Sequence, residues 1–503
     1  MTLESRTGDA ERGERPRRIV QGIGAVVGLL VLVEVASGVL QGYYTPIYPQ
    51  IADHLSIPEG DVNWFEAAQL VVSALCVPLL ARLADLIGHQ RVLLLSTAVT
   101  ALGSWVLVVA PSFTTFLVGW ALQGAYVVWL PLEVAIIHRR LRGDSDRDRR
   151  TRRGAAILVG ALELSVIVGA LTSGQLVDRV GMGVVLALPA IVVTAVFLVI
   201  LLGIENTPGD ATGGIDWTGF ALITGSLGLV MAGLVAVRLE GPGFVLAWTL
   251  VAAGLASLLP FARYELGRRE PLVDIRLLRD PRQWPIQVTA FLFGVPVLGG
   301  QIPLSTYAQA DPVERGYGLG ADAAFVSTLI GVYVVTLAIG AFTLPLTSRL
   351  LGVRRALVVS CLLVALGYLL WIPFHDQTWQ GLVNMAIAGL GSGALVAALP
   401  SAAAAAAPED RTGFATGMTN ATKTVGGAIA SSIFAIALAV DGLAVDGLAV
   451  DGLAADGLEL EQASAPLSGY LTVWAVCAGA ALLAAVALSV APQGSFSERA
   501  VEV

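Results

Sequence analysis

Three glutamates, Glu34, Glu133 and Glu163, lie inside long apolar stretches of this 503-residue sequence. A charged side chain at the centre of a lipid bilayer costs roughly 2.5 to 3.5 kcal/mol, so an acid that is kept there usually has a function. Burial disfavours the charged form of a carboxyl group, and such a group can exchange a proton near neutral pH. We expect one of these groups to alternate between protonated and ionised forms, and to be shared by a proton and a cationic or polar substrate.

The depth of the three acids in their apolar stretches ranks them. Glu34 falls in the outer half of the first stretch and Glu163 near the middle of the fifth, whereas Glu133 is only about two turns from the end of the fourth. We therefore rank Glu34 and Glu163 first. For each acid, the alternative is a protonated or hydrogen-bonded side chain that packs helices together.

Polar and aromatic residues on the same helices are candidates for lining a cavity. Gln41 follows Glu34 by two helical turns on the same face. In the fourth stretch, Trp120 and Gln123 are one turn apart, and an aromatic ring there can stack on a flat or cationic ligand. Packing against lipid or other helices is an equal alternative for Trp120.

The sequence has no Walker motif, metal-ligand cluster or nucleophile triad. We therefore expect no enzyme activity and no ATP-driven pumping. We also expect no metal and no other cofactor. The energy source that remains is a proton gradient.

The composition places all these residues in a membrane. The chain has 56% hydrophobic and 14% charged residues and a mean hydropathy of +0.77, which is typical of an integral membrane protein. About 20 apolar residues cross a hydrocarbon core of roughly 30 Å. The sequence predicts an all-α fold with 14 transmembrane helices, near residues 19–40, 66–86, 91–110, 113–137, 155–177, 183–203, 216–237, 243–262, 286–307, 322–346, 355–373, 380–405, 413–439 and 468–490.

The arginines test this count, because basic residues concentrate in cytoplasmic segments. With 14 helices and both termini in the cytoplasm, the cytoplasmic segments hold 26 arginines and the outer segments hold three. One missing helix would place the later arginine-rich loops on the wrong side. We therefore predict a multi-pass protein of the plasma membrane with both termini cytoplasmic. The only lysine, Lys423, lies near the cytoplasmic end of predicted helix 13, where snorkelling explains it.

The basic run at residues 139–153 suggests nucleic-acid or anionic-lipid binding, but a topology-setting loop is the better interpretation, and we expect no nucleic-acid partner. A five-residue repeat follows predicted helix 13, and we assign it no function. The predicted segments are an N-terminal tail (1–18), a six-helix half (19–203), two linker helices (204–262), a cytoplasmic loop (263–285), a second six-helix half (286–490) that includes an extracellular low-complexity loop (440–467), and a C-terminal tail (491–503).

A short charged stretch occurs twice. Residues 83–91 read LADLIGHQR and contain Asp85, Gly88 and Arg91, and residues 346–355 read LTSRLLGVRR with Gly352 in the place of Gly88. Each copy follows the second helix of a six-helix block. Two repeated halves place a substrate path at their interface, where rocking of one half against the other gives alternating access.

The first copy resembles the loop signature G-x-L-A-D-x-x-G-[RK]-[RK]-[RK] of the major facilitator superfamily, and the 14 helices resemble its drug:proton antiporter group. Leu83, Ala84, Asp85, Gly88 and Arg91 match this signature. An acid beside a tight turn and a basic residue can form a cytoplasmic gate, held in one state and broken in the other; the alternative is a simple loop anchor. Further resemblances cover residues 49–55, 270–279 and 420–427.

Three positions depart from the signatures of that group. Trp120 replaces the basic residue of R-x-x-Q-G in helix 4, residues 169–174 read GALTSG in place of G-P-x-x-G-G in helix 5, and Leu40 falls where an acid is expected late in helix 1. The resemblance implies a proton-coupled exporter of drug-like or natural-product molecules, cationic or amphipathic, that works as a monomer. An importer or a narrow-specificity metabolite transporter of the same superfamily is the alternative.

Overall fold

The structure is a computed structural model that describes residues 22–141, 146–206, 209, 213–268, 271–408, 411–439 and 465–491. The predicted N-terminal tail, residues 142–145 of the basic run, nearly all of the low-complexity loop and residues 492–503 of the C-terminal tail lie outside these ranges. The described part contains 14 long helical segments: α1 (Ile23–Leu55), α2 (Glu59–Ile87), α3 (His89–Val109), α4 (Phe113–Arg140), α5 (Arg147–Leu176), α6 (Met182–Gly203), α7 (Trp217–Glu240), α8 (Val245–Leu266), α9 (Trp284–Gln309), α10 (Ala323–Leu351), α11 (Val353–Leu370), α12 (Thr378–Ala405), α13 (Thr412–Ala437) and α14 (Leu467–Val490).

The helical content confirms the predicted all-α membrane fold. In the described residues, 13 of the helices are long and apolar enough to cross a membrane. The remaining helix, α13, has 26 residues, which is also long enough, but it carries many polar side chains. The number of helices thus agrees with the 14 that the sequence predicts.

Three of the helices are interrupted where proline or glycine disturbs the hydrogen-bond ladder. The first, α1, has a 3-10 turn at Thr45–Ile47, which contains Pro46. The 3-10 segment Gly124–Val128 interrupts α4, and the π-helical segment Val295–Gly299, which contains Pro296, interrupts α9. Proline removes a backbone donor, and such breaks in membrane helices often occur at binding sites.

Ion pairs between helix ends lie at two opposite faces of the helix bundle. The N-terminal face, where α1 begins, carries the pairs Asp85–Arg139, Arg140–Glu205 and Asp274–Arg411. The opposite face carries Glu59–Arg315 and Asp61–Arg238. Each helix therefore runs from one face to the other, as the alternating pattern of basic loops predicts.

The α2–α3 and α10–α11 turns have the same backbone geometry. Gly88 has φ 104° and ψ 142°, and Gly352 has φ 79° and ψ 149°. Their amides donate to the carbonyls of Ala84 and Ser348, at 3.0 and 2.9 Å. Only glycine adopts this conformation without strain, so both copies of the repeated stretch depend on it.

The described helices form two packed halves joined by a helix pair. One apolar core is built almost entirely from α1 to α6, and the other from α9 to α14. Glycines allow close approach inside each half: a Cβ at Gly42 of α1 would lie 2.1 Å from the carbonyl oxygen of Val166 in α5, and one at Gly393 of α12 only 1.8 Å from that of Leu337 in α10. The linker helices α7 and α8 pack on each other, and α7 also contacts α2 and α13.

Candidate functional site

The carboxyl groups of Glu34 and Glu133 are close neighbours inside the N-terminal half. Both side chains are fully buried, with 0% exposure. Glycine-mediated packing of α1 on α5 brings α1 close to α4 as well, and this places the two acids together. The sequence predicted both residues but not that they form a pair.

The surroundings of the Glu34–Glu133 pair favour a proton shared between the two carboxyl groups. None of the four carboxyl oxygens accepts a hydrogen bond of ordinary geometry from a donor in the protein. The Ser37 side chain lies near Glu34, and its oxygen accepts from the Gln41 side-chain amide at 3.2 Å, which leaves the Ser37 O–H free to donate to the acid. Two buried carboxylates repel each other strongly, whereas one shared proton converts the repulsion into a hydrogen bond. The geometry therefore fits a carboxyl pair that holds a proton.

A fourth acid, Glu66, also lies within a membrane-crossing helix, and sequence reasoning missed it. The predicted helix 2 begins at residue 66, but in the structure α2 starts at Glu59 and Glu66 is in its third turn. Its carboxyl group lies beside the Trp120 indole and near the rings of Tyr48 and Tyr126. Glu66 keeps part of its surface accessible. The apolar run does not locate the start of the helix, since it marks only where the helix becomes hydrophobic.

The predicted cavity residues Trp120 and Gln123 are packing residues in this conformation. Trp120 is only 1% exposed, packs in a tilted arrangement against Tyr44 at a ring-centroid distance of 4.6 Å, and donates its indole N–H to Gln69 at 3.2 Å. Gln123 is fully buried and donates to the hydroxyls of Tyr44 and Ser104, at 3.0 and 2.9 Å. These contacts tie the broken region of α4 to α1, α2 and α3.

A pair of opposite charges spans the seam between the two halves. Glu163 of α5 and Lys423 of α13 attract each other electrostatically, although their charged atoms are not in direct salt-bridge contact. Both keep part of their surface accessible. The Tyr333 hydroxyl, on α10, lies near Glu163 and near Ser392 of α12. A ligand that enters this seam meets an acid from one half and a base from the other.

The gate residues lie together at the N-terminal face, but they pair differently from the predicted pattern. Asp85 lies 3.6 Å from Arg139 of α4 and 3.9 Å from His89, all within the N-terminal half. Arg91 is exposed and forms no salt bridge with Asp85 among the described residues. Asp85 thus connects α2 to α4, while Gly88 forms the turn.

The described residues contain no group of three or more His, Cys, Asp or Glu side chains able to hold a metal ion. The three cysteines, Cys76, Cys361 and Cys477, are free thiols.

Two helical halves with charged side chains at a shared seam define a transporter of the alternating-access class. The chain belongs to the Major Facilitator Superfamily, whose family model matches residues 30–431 and, in a second overlapping match, residues 302–495. This membership confirms the resemblance that the charged stretch predicts and the small-molecule transport that goes with it.

Similar proteins differ in what they carry. The chain is 27% identical over 402 residues to a uridine/deoxyuridine transporter of Lactococcus lactis, covering 75% of this chain and 82% of the relative. It is 22% identical over 399 residues to a tetracenomycin C resistance and export protein of Streptomyces glaucescens, covering 78% and 71%. The crystal structure of the nucleoside transporter NupG superposes with a TM-score of 0.63 at 12% identity, covering 92% of this chain and 99% of that one, which supports the fold alone.

Proposed function

We propose that this protein is a proton-coupled exporter of drug-like or natural-product molecules. The observation that carries the proposal is the buried Glu34–Glu133 carboxyl pair, which has no basic partner in the described structure. Such a pair binds a proton tightly in one conformation and releases it when water reaches it in another. The resemblance to an export protein supports the outward direction.

In this mechanism the proton and the substrate act on different parts of one cavity. The carboxyl pair takes up the proton inside the N-terminal half. Glu163 supplies negative charge where the halves meet, and Glu66 supplies negative charge within the N-terminal half, with Tyr48 and Tyr126 beside it. Aromatic faces and carboxylates together favour a cationic or amphipathic substrate. The rocking of the halves exposes the seam to each side in turn.

Proton release tests the coupling directly. A growth-inhibition panel with deletion and overexpression strains first identifies a transported compound. This compound is then added to the purified protein in weakly buffered solution, and the proton release is followed with a pH indicator. We expect release from the unmodified protein and at least a tenfold loss in Glu34→Gln and Glu133→Gln. Glu240→Gln, which removes an exposed carboxyl group at the end of α7, is the control. Unchanged release in both pair variants would disprove the role of the pair.

The uridine/deoxyuridine relative favours a second candidate, an importer or a narrow-specificity metabolite transporter. The two functions differ in the sign of one measurement. Deletion of the gene raises intracellular accumulation of the substrate if the protein exports it and lowers the accumulation if the protein imports it.

The proposal includes the topology and the assembly state. We propose a bacterial plasma-membrane protein with its N-terminal face in the cytoplasm, acting as a monomer without a cofactor. The charges of the loops support this orientation. Fusion of a reporter that is active only in the cytoplasm to the C-terminus would reveal the orientation by its activity.

A further inference from the structure

A bidentate ion pair joins the two halves at the opposite face. Arg315 donates from both terminal nitrogens to the two carboxylate oxygens of Glu59, each at 2.9 Å. Glu59 is the first residue of α2 in the N-terminal half, and Arg315 lies in the connection between α9 and α10 in the C-terminal half. The side chains are only 15% and 21% exposed. Partial burial and the forked geometry make this pair stronger than an ordinary surface salt bridge.

The segment that carries Arg315 is rigid. It is a short helix, Pro312–Arg315, followed by Gly316 and Gly318, which have φ of 72° and 108°. A Cβ at Gly318 would lie 2.2 Å from the carbonyl oxygen of Ala310. Two backbone hydrogen bonds close this loop, from Gly320 to Ala310 at 2.9 Å and from Ala321 to Ala308 at 3.0 Å. A loop held in this way presents the guanidinium group in one position.

The partner acid is held equally firmly. Glu59 starts a 3-10 turn, Glu59–Val62, and the Asn63 side chain donates to the carbonyl of Gly60 at 2.9 Å. The Glu59 carboxylate raises the pKa of the Arg315 guanidinium above its usual range, so the guanidinium stays charged. The Glu59–Arg315 pair therefore forms at a small cost in conformational entropy.

Other contacts between the halves cluster around the pair. The Gln309 side chain, at the end of α9, accepts from Gln50 at 2.8 Å and donates to the carbonyl of Pro46 at 2.9 Å, both in α1. Deeper in the seam, the Ser327 hydroxyl of α10 donates to the carbonyl of Ala170 in α5 at 2.7 Å.

Along α2 and α13 the approach is closest at this face. A Cβ at Gly60 would lie 2.6 Å from the carbonyl oxygen of Leu438, whereas one at Gly417, nearer the N-terminal face, would lie 3.9 Å from Val77. The ion pair therefore lies at a face where the two halves are in close contact.

We propose that the Glu59–Arg315 pair is a latch that holds the opposite face of the transporter shut and must break before the halves separate there. The latch acts on the population of the two conformations and not on substrate or proton binding. It does not depend on which molecule is carried or in which direction.

The chain contains a matched control. Asp61 and Arg238 form a second forked pair at the same face, with distances of 3.1 and 3.4 Å and exposures of 22% and 24%. This pair joins α2 to the linker helix α7 and not to the C-terminal half. Its loss removes the same chemistry from the same face without releasing the seam.

Thiol labelling across the seam tests the latch. Ser327 is fully buried at the seam, so a Ser327→Cys substitution reports its opening. Intact cells are treated with a membrane-impermeant maleimide, and the chain without this substitution gives the background. We expect Glu59→Gln and Arg315→Gln each to raise the labelling rate about fivefold. Asp61→Asn should leave the rate unchanged, and the exchange Glu59→Arg with Arg315→Glu should restore it to within about twofold of the parent.

The exchange variant separates a latch from damage to the fold. A labelling rate that stays high in the exchange variant would mean local disruption and would overturn the proposal. An equal rise in Asp61→Asn, or no rise in either single variant, would also overturn it. These outcomes are independent of proton coupling, because labelling requires neither a substrate nor a gradient.

Discussion

At the scale of single residues, Trp120 combines a buried hydrogen bond with aromatic packing, and the two can be separated. Its indole N–H is bonded to Gln69, and its ring stacks on Phe65 at a centroid distance of 5.9 Å. Trp120→Phe keeps most of the ring contacts and leaves a buried amide oxygen without its donor. We expect a loss of about 1 to 3 kcal/mol in the free energy of unfolding. Thermal unfolding in detergent, followed by circular dichroism, measures it.

Trp105 provides the control for this substitution. Its indole also donates a hydrogen bond, to the Thr194 hydroxyl at 3.0 Å, but its side chain is 42% exposed. Thr194 keeps its own bond to the carbonyl of Ala190. We expect Trp105→Phe to cost less than about 0.5 kcal/mol. Equal losses in the two variants would mean that the Gln69 contact contributes no special stability.

The residue types of the candidate site could be read from the sequence, but their partners could not. An acid inside an apolar run is visible at once, and Glu34, Glu133 and Glu163 were found in this way. Glu133 was ranked low because it lies near the end of its helix. Depth along one helix does not show which acids pair, because pairing depends on how α1 packs against other helices. Gly38 and Gly42 of α1 pack closely on α5, a contact between distant parts of the chain.

At the scale of elements, the turn at Gly352 offers a test of the repeat. Its φ of 79° with ψ of 149° is a conformation that residues with a Cβ avoid, and a Cβ there would meet nothing within 4 Å. Gly352→Ala should therefore cost about 1 to 3 kcal/mol through backbone strain alone. Gly225→Ala, in the middle of α7 and also facing open space, should be neutral or slightly stabilising. Unfolding midpoints of the two purified variants decide the matter, and equal midpoints would contradict the strain argument.

Helix number followed from apolar runs, whereas helix ends did not. Predicted helix 1 stops at residue 40, but α1 continues to Leu55 through a 3-10 turn. The added residues include Tyr44 and Tyr48, whose polar hydroxyls lower the hydropathy although both side chains are buried. A helix end that packs inside the protein can contain polar residues, so hydropathy alone does not locate it.

At the scale of the whole molecule, arginine counts and the repeated stretch were enough to predict two halves and a helix pair between them. Both signals can be read from the order of the residues along the chain. The contacts that join the halves at one face instead involve residues far apart in sequence, such as Glu59 with Arg315. Such a pair leaves no local pattern in the sequence, because each of its two residues by itself is an ordinary charged residue near the end of a helix.

The charge pair across the seam leads to a prediction that involves both halves. Glu163 and Lys423 belong to different halves and partly offset each other's charge in a low-dielectric environment. Removal of one partner leaves the other uncompensated, whereas removal of both leaves none. The double variant Glu163→Gln with Lys423→Gln should thus be more stable than the sum of the single losses predicts, by a coupling free energy of about 1 kcal/mol. Unfolding of the four proteins in detergent measures this energy. Strict additivity would mean that the two charges do not act on each other across the seam, and each would then be stabilised within its own half.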